Sequence, residues 1–308
     1  MTLDNRDRDI VVAALKHAAP YIRMYKRKVF VIKAGGELFT NPGQTRALLE
    51  QVAILNQIGV QVVLVHGSGP QSTQIAKDRG LETQMIEGRR VTSAATLEVS
   101  QAASQQISSQ IVMTCAELEL DAESVAYENG GTIKATKRPP VEVAGKGTVD
   151  YGFVGDIENI AGSEISEMLA QGKVPVVSPL TADQKGQVLN INADTIASNL
   201  AAALNAEKLI ITTGAIGVLE DVNDPQSLIS YTDLNGLQQL RDNGSLADGM
   251  LPKALSIETA IKGGVPRVHV ISYAIPDCLL LEVFTNEGTG TLVVKSIEAL
   301  TEAEQATA

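Results

Sequence analysis

The sequence predicts an α/β protein, a sandwich in which helices cover both faces of a central, mainly parallel sheet. Short, continuous apolar runs at 29–32 and 62–65 each end at a glycine-rich turn, which is typical of strands that are covered on both faces. Segments with helical apolar spacing, such as 45–58, separate these runs. Alternating strands and helices favour parallel pairing, because each helix carries the chain back across the sheet.

The first predicted element is an extra helix before the first strand. Segment 9–23 has helical spacing, with Ile10, Ala13 and His17 near one face. This helix is not needed to complete the sheet, so two alternatives stay open: it packs on its own chain or on a second subunit. The next elements in order are a strand at 29–32, a helix at 45–58, a strand at 62–65 and a helix at 71–78.

The remaining elements continue the same alternation. The pattern predicts helices at 93–116, 163–171, 193–203 and 252–262, and strands at 174–177, 208–211 and 268–271. A polar stretch at 129–153 contains glycine and proline and indicates an inserted hairpin, with a short strand at 141–144. Segment 180–186 is interpreted as a turn between two lobes.

Composition excludes several kinds of partner and site. The 308 residues carry 25 Lys and Arg against 36 Asp and Glu, a net charge of −11, which argues against nucleic acid or an anionic membrane surface. No apolar run is long enough to cross a membrane, and the charged N-terminus lacks a signal-peptide core. The two cysteines and three histidines are too few and too scattered for a zinc or histidine metal site. We expect a cytoplasmic protein.

Length indicates about two lobes, at roughly 150 residues per domain. We assign residues 1–27 to the N-terminal helix, 28–180 to an N-terminal lobe and 181–308 to a C-terminal lobe. On the subunit-packing alternative, the helix in 1–27 is an oligomerisation element.

Two glycine turns are the first indication of chemistry. Lys33-Ala34-Gly35-Gly36 and His66-Gly67-Ser68-Gly69-Pro70 each follow an apolar run. Exposed N–H groups in such turns, and the helix N-terminus after the second one, favour a phosphate group. The alternative is that each is simply a tight strand-to-helix turn. His66 is interpreted as a hydrogen-bonding turn residue more readily than as a catalytic base.

Three other segments carry charged candidates. Asp194 opens a predicted helix, where it either caps the helix, orients lysine side chains or holds a metal. Lys253 lies in the first turn of a helix, where a cation opposes the helix dipole and a functional role is favoured. In Gly88-Arg89-Arg90-Val91-Thr92, one arginine either pairs with a substrate carboxylate or forms a surface ion pair.

Taken together, these segments resemble the amino-acid kinase superfamily, and most closely its N-acetylglutamate kinases. The resemblance extends over about residues 10–294. The matching segments are 31–36 (VIKAGG), 65–71 (VHGSGPQ), 88–92 (GRRVT), 152–157 (GFVGDI), 190–194 (NINAD), 249–253 (GMLPK) and 281–291 (LEVFTNEGTGT). Each motif is modest alone, and the ordered set is specific.

The resemblance implies transfer of the ATP γ-phosphoryl group to the side-chain carboxylate of N-acetyl-L-glutamate in arginine biosynthesis, with Mg²⁺ accompanying ATP. It places the acetylated amino acid on the N-terminal lobe and ATP on the C-terminal lobe. The implied residues, by role, are Lys33 and Lys253 neutralising the migrating phosphoryl group, Asp194 organising those lysines, Arg90 and Asn190 with Gly67 and Ser68 binding the acceptor, and Gly35, Gly36, Thr213, Gly214, Gly249 and Met250 binding phosphate and nucleotide.

Three positions depart from the family pattern and keep an alternative open. Ser68 replaces a glycine of the second turn, Gly214 replaces an aspartate after a strand, and Asp248 precedes Gly249 where glycine is usual. The Thr-Gly form at 213–214 is similar to the kinase-like domain of some acetylglutamate synthases. The alternatives are therefore an arginine-sensing or regulatory member without full kinase activity, and a kinase for a related acylated or free amino acid.

The resemblance also bears on assembly and regulation. The end of the N-terminal helix, Ala19-Pro20-Tyr21-Ile22-Arg23, is similar to that of arginine-inhibited, ring-forming hexameric members. It implies a homo-oligomer, either a dimer or a hexamer, and L-arginine as an effector. Asp277 stands where those members have a histidine.

Overall fold

The computed structural model describes residues 5–86, 89–127, 131–143, 145–246, 249–285 and 288–300. Over these residues, no helix is long and apolar enough to cross a membrane. The helices are α1 (Asn5–Tyr25), α2 (Pro42–Gln57), α3 (Gly69–Asp78), α4 (Ala94–Glu117), α5 (Ser163–Ala170), α6 (Ala193–Ala203), α7 (Leu234–Asp242), α8 (Leu251–Lys262) and α9 (Cys278–Phe284). Short 3₁₀ turns occur at Leu38–Thr40, Pro225–Ser227 and Ile297–Ala299.

The strands fall into one large sheet, one smaller sheet and two hairpins. They are β1 (Val29–Ala34), β2 (Gln61–His66), β3 (Met85–Ile86), β4 (Arg89–Arg90), β5 (Ala122–Ser124), β6 (Ile133–Lys137), β7 (Val141–Val143), β8 (Gly147–Val149), β9 (Gly155–Ile160), β10 (Val174–Val177), β11 (Leu180–Ala182), β12 (Val188–Asn190), β13 (Lys208–Thr213), β14 (Tyr231–Asp233), β15 (Arg267–Ser272) and β16 (Thr291–Val294). The helices and strands predicted from periodicity are present, with ends shifted by a few residues.

The large sheet has the strand order β14-β16-β15-β13-β1-β2-β10-β5. Strands β15 and β16 pair antiparallel, and the other neighbours in this sheet pair parallel. The predicted mainly parallel sheet is therefore confirmed. The central strands β1, β2 and β13 end at the same edge, which brings the glycine turns after β1 and β2 next to each other.

Two apolar cores lie on opposite faces of this sheet. Side chains alternate along β1, so Val31 belongs to one core while Phe30 and Ile32 belong to the other. Helices α5, α6, α7 and α8 cover the Val31 face. Helices α2, α4 and α9 cover the Phe30 face, together with the end of α1. This is the predicted arrangement of helices on both faces of one sheet.

A smaller sheet with the order β12-β11-β6-β9 and the hairpins β3–β4 and β7–β8 stand beside the large sheet. The predicted hairpin insertion corresponds to β6, β7 and β8, and β7 covers 141–143 of the strand predicted at 141–144. The prediction of a turn over 180–186 is wrong for its first three residues, because Leu180–Ala182 forms β11 and pairs with β12 and β6. The turn itself lies at 183–186, closed by a bond from Gly186 N to Asp183 O.

The N-terminal helix contacts its own chain at its C-terminal end. The Tyr21 ring meets the Phe284 ring of α9 edge-on at 6.2 Å, and Tyr25 meets Phe30 of β1 at 5.1 Å. The first half of α1 leaves Ile10, 57% exposed, and Leu15, 63% exposed, on the surface. The own-chain alternative therefore holds for the end of this helix.

A glycine with a left-handed backbone joins the smaller sheet to the hairpin that carries Arg90. Gly152 has a φ of +74°, and an added Cβ would lie 2.3 Å from the carbonyl oxygen of Thr92. Phe153 N donates to that same oxygen at 2.7 Å, and Asn190 N donates to Phe153 O at 2.9 Å. Close backbone contact at Gly152 thus connects the segments on which Arg90 and Asn190 lie.

We predict that Gly152→Ala lowers the free energy of unfolding by about 3 kcal/mol, because it combines a left-handed backbone with a clash against backbone. Chemical denaturation measures this difference. Gly186 is the matched control, because its φ is +80° and nothing lies within 4 Å of an added Cβ. Gly186→Ala should cost only about 1 kcal/mol. Equal losses in the two variants would contradict a role for the contact with Thr92.

Candidate active site

The two glycine turns lie side by side at the carboxyl edge of the sheet. Ala34 on β1 is in register with His66 on β2, and Gly67 N donates to Ala34 O at 2.8 Å. An added Cβ on Gly67 would lie 3.2 Å from Gly36 N, so a larger residue at Gly67 would crowd the first turn. The structure therefore brings together two turns that are far apart in sequence, as parallel strands require.

A buried carboxylate lies between two lysines beside these turns. Lys33 Nζ on β1 is 2.9 Å from Asp194 Oδ1, and Lys253 Nζ on α8 is 3.8 Å from Asp194 Oδ2. Lys33 and Asp194 are 7% and 5% exposed. Asp194 lies in the first turn of α6, which Asn192 caps by accepting a hydrogen bond from Asp194 N at 2.7 Å. Three separate elements thus place three charges in one small volume.

The lysines decide the charge state of Asp194. Burial by itself raises the pKa of this carboxyl group, because it disfavours the charged form. The charges of Lys33 and Lys253, and a hydrogen bond from Lys33, outweigh burial and hold the pKa of Asp194 below its ordinary value. Asp194 is therefore ionised at neutral pH, and it keeps both ammonium groups close to each other.

Arg90 and Asn190 lie on segments that meet beside Thr92. Arg90 Nη2 donates to Thr73 Oγ1 at 2.9 Å and to Gly69 O at 3.3 Å, which fixes the guanidinium against α3. Among the described residues, Arg90 Nη1 is buried without a hydrogen-bond partner. Asn190 Nδ2 donates to Thr92 Oγ1 at 3.4 Å. These side chains offer N–H donors of the kind that bind a carboxylate.

One cleft of about 290 Å³ joins these groups. It is lined by these predicted site residues: Lys33, Gly35, Gly36, Gly67, Ser68, Arg90, Asn190, Asp194 and Lys253. The Ser68 hydroxyl accepts from Ser104 Oγ of α4 at 3.2 Å, and Ser68 has a negative φ of −137°. Serine therefore fits here without a left-handed backbone, and its side chain is bonded to α4.

The predicted nucleotide residues Thr213, Gly214, Gly249 and Met250 do not line that cleft. Thr213 ends β13, and the Gly214 carbonyl accepts from Ser272 Oγ at 3.4 Å. Gly249 O accepts from Lys253 Nζ at 3.4 Å, and Met250 packs against the core on the Val31 face. Thr213 and Gly214 lie at the end of β13, next to β1, and Gly249 and Met250 immediately precede α8. Asp248 lies outside the described residues.

Several residues that line the cleft have no role predicted from the sequence, among them Glu37, Ser72 and Arg138. Gln71 holds the two turns together, because its Nε2 donates to Gly36 O at 2.8 Å. Arg138, the residue after β6, forms an ion pair with Asp156 on β9. Gln71 and Asp156 lie within the family-like segments 65–71 and 152–157, so the resemblance could have indicated them. Nothing in the sequence pattern around Arg138 marked it.

His66 has the structural role that its position predicted. Its Nε2 lies 2.8 Å from Ser108 Oγ of α4, and the residue is fully buried. Burial lowers the pKa of His66 to about 4, against a smaller opposing effect of the Gly67 backbone. The ring is therefore neutral at pH 7 and is bonded to α4.

Comparison with known proteins agrees with this geometry. The family model described as "Amino acid kinase family" matches residues 28–272. The chain is 40% identical over 289 residues to an acetylglutamate kinase of Myxococcus xanthus, covering 92% of this chain and 94% of that protein. It is 38% identical over 285 residues to an acetylglutamate kinase of Symbiobacterium thermophilum, covering 92% and 97%.

Solved structures show the same fold. An N-acetylglutamate synthase from Neisseria gonorrhoeae, complexed with coenzyme A and N-acetyl-glutamate, superposes with a TM-score of 0.81 at 26% identity. That match covers 92% of this chain and 63% of the synthase, so this chain spans less than two thirds of it. A carbamate kinase from Giardia lamblia bound to AMP-PNP superposes with a TM-score of 0.60 at 17% identity, covering 88% and 99%.

The fold, the sheet-edge site and the matched family model define an amino acid kinase. Within that class, the chain belongs to the acetylglutamate kinase family, on the identity and coverage of the Myxococcus and Symbiobacterium proteins. The resemblance and the fold class inferred from the sequence are thereby confirmed.

We predict that Asp194 makes the free energy of unfolding depend on pH in the acid range. Its folded pKa lies below the value of about 3.9 for an unfolded aspartate. The ionised carboxylate therefore stabilises the fold above that value, and the contribution is lost as pH falls through the folded pKa. Between pH 5 and pH 3, the free energy of unfolding in urea should fall more steeply for the wild type than for Asp194→Asn.

The matched control for this experiment is Glu98→Gln, since Glu98 is an exposed carboxylate on α4. That variant should follow the wild-type slope. A slope for Asp194→Asn that equals the wild-type slope would contradict the assignment.

Proposed function

We propose that this chain transfers the γ-phosphoryl group of ATP to the γ-carboxylate of N-acetyl-L-glutamate in arginine biosynthesis. The observation that carries the proposal is the cluster of Lys33, Asp194 and Lys253 in the cleft that Arg90 also lines. Two anionic reactants need positive charge between them, and this cluster supplies it. The identity to acetylglutamate kinases over nearly the whole chain supports the choice of acceptor.

The acceptor would bind beside Arg90. Arg90 Nη1 and Asn190 Nδ2 would hold the α-carboxylate and the acetylated nitrogen side of the molecule, beside Gly67 and Ser68. The γ-carboxylate has a reference pKa of about 4.3, so it is ionised and nucleophilic at neutral pH. No general base is needed, and His66, which is neutral and bonded to α4, is not part of the reaction.

Transfer depends on alignment and charge. Lys33 and Lys253 would neutralise the oxygens of the migrating phosphoryl group, and Asp194 would hold the two ammonium groups in position. Backbone N–H groups at Gly35, Gly36, Gly67 and Ser68 would bind phosphate oxygens. A bond forms between a γ-carboxylate oxygen and the γ-phosphorus, the bond to the β-phosphate oxygen breaks, and ADP leaves.

The rest of the nucleotide would bind at Thr213, Gly214, Gly249 and Met250. The donors in the two turns and the two lysines fit the phosphates of ATP. The described residues contain no group of three His, Cys, Asp or Glu side chains that could hold a metal ion. Mg²⁺ would therefore arrive on the nucleotide phosphates, where it neutralises charge and orients the oxygens.

A second candidate function is L-arginine sensing without kinase turnover. The favouring observation is the likeness to the Neisseria gonorrhoeae synthase solved with coenzyme A and L-arginine, with a TM-score of 0.81 at 25% identity. On the leading proposal, L-arginine is an effector of an active kinase. Hydroxylamine trapping of acyl phosphate from ATP and N-acetyl-L-glutamate separates the two, because a sensor binds arginine and forms no acyl phosphate.

We predict that Lys33→Ala and Lys253→Ala each lower kcat by about a hundredfold, since each removes one cation that stabilises the transferring phosphoryl group, worth on the order of 3 kcal/mol. Acyl-phosphate formation measures kcat, and circular dichroism checks folding. Lys77→Ala is the matched control, because Lys77 is exposed on α3. Wild-type turnover in either site variant would reject its assigned role.

We also propose that the chain is a homo-oligomer, a dimer or a hexamer, with α1 as a linking element, and that it acts in the cytoplasm. The apolar side chains of Ile10, Val11 and Leu15, exposed on α1, support the first part. The two unpaired, buried cysteines favour a reducing compartment.

Deletion of residues 1–27 should therefore lower the number of subunits per assembly in solution. Light scattering coupled to gel filtration measures it. A full-length chain that is a monomer or a simple dimer, with a state unchanged by the deletion, would contradict the role of α1.

A further inference from the structure

The cleft holds more guanidinium groups than N-acetyl-L-glutamate needs. This acceptor has one carboxylate besides the reacting one, and Arg90 suffices to bind it. Yet Arg89 and Arg138 line the same cleft. Neither arginine has a role in the proposed transfer.

A second cavity of about 620 Å³ adjoins the cleft at these two arginines, which line both. Apolar side chains contribute to two of its sides. Val141, Val143 and Tyr151 form one side, and Leu251, Pro252 and Leu255 of α8 form the other. Helix α8 also carries Lys253, so the second cavity begins beside the helix of this lysine. An acyl group on the acceptor nitrogen would enter the cavity by passing Arg89.

Arg138 is held in a fixed orientation at the junction of the two cavities. Its Nε donates to both oxygens of Asp156, at 3.0 and 3.1 Å, and Nη2 pairs with the same carboxylate. The guanidinium lies 5.8 Å from the centre of the Tyr151 ring. Nη1 takes no part in this ion pair, so the geometry leaves that edge of a pre-oriented guanidinium for another group.

The second cavity offers N–H donors to an anion. Arg89, Arg138 and Arg241 line it together with Glu142, and the charge of Arg138 is paired with that of Asp156. Arg241 pairs with Glu258 of α8, and its Nε is buried without a hydrogen-bond partner among the described residues. A short acyl chain would bury its methylene groups against the apolar walls, and a carboxylate at its end would meet the arginines.

We propose that this second cavity is a subsite for the acyl group of the acceptor. The chain then also phosphorylates N-acyl-L-glutamates whose acyl group ends in a second carboxylate, with N-succinyl-L-glutamate as the probe. The proposal rests on the proposed kinase function, and the reaction is the same transfer of the γ-phosphoryl group to the glutamate γ-carboxylate with release of ADP.

The test compares three acceptors by acyl-phosphate formation, with the hydroxamate products identified by mass spectrometry. They are N-acetyl-, N-succinyl- and N-(4-methylpentanoyl)-L-glutamate, the last having the shape of the succinyl compound without its charge. We expect kcat/KM for the succinyl compound to lie within tenfold of that for the acetyl compound. The uncharged compound should be at least tenfold poorer than the succinyl compound, and equal values for these two would overturn the assignment of a carboxylate.

Two variants locate the effect. Leu255→Trp fills the second cavity from α8, so it should lower kcat/KM for the succinyl compound at least tenfold and leave the acetyl compound unchanged. Arg89→Leu should lower the ratio of succinyl to acetyl activity at least tenfold. Acetyl activity with succinyl activity more than tenfold lower in the wild type, or a ratio that neither variant changes, would overturn the subsite.

If the proposed kinase function itself is wrong, none of the three acceptors reacts, which distinguishes that failure from a failure of the subsite. Calorimetry with N-succinyl-L-glutamate then decides the subsite by itself. Binding that Leu255→Trp weakens at least tenfold supports it, and binding that is absent or unchanged by the variant overturns it.

Discussion

The buried ion pair between Lys33 and Asp194 is the interaction on which the rest of the site depends. Lys33 comes from the central strand β1 and Asp194 from the first turn of α6, so the pair fixes that helix against the sheet. Lys253 of α8 approaches the other oxygen of the same carboxylate. A lysine or an aspartate buried alone would be costly, whereas three charges together satisfy one another. The charges of these three side chains sum to one net positive charge.

The resemblance to the amino-acid kinases implied this cluster, and the fold class is consistent with it. Lys33 lies near the end of a strand, Asp194 opens a helix and Lys253 lies in a first helical turn, and such positions meet at the carboxyl edge of a parallel sheet. The order of elements was predictable, since β1, β2 and β13 are continuous apolar runs between amphipathic helices.

What could not be predicted depends on contacts between distant segments. Leu180–Ala182 is only three residues long, and besides its hairpin pairing with β12 it depends on a pairing with Lys134 of β6, which lies far away in sequence. Arg138 reaches the cleft only because β6 pairs with β9, across a register shift between Lys134 and Ala135. Gln71 matters only because the first and second turns touch. Ser68 departs from the family pattern, and the structure shows how it is accommodated. Its hydroxyl accepts a hydrogen bond from Ser104 of α4, a helix that lies outside the motif.

The strand order has a consequence for how this chain reaches its native state. β1 is among the first strands to leave the ribosome, yet one of its two neighbours, β13, lies in the second half of the chain. Until β13 is made, β1 is an edge strand on the side opposite β2, and its unpaired backbone groups and apolar side chains are unprotected. Parallel pairing between such remote segments is slow, and an open edge of this kind invites association with other chains. We therefore expect the nascent N-terminal half to depend on chaperones, and folding to complete only after synthesis of β13.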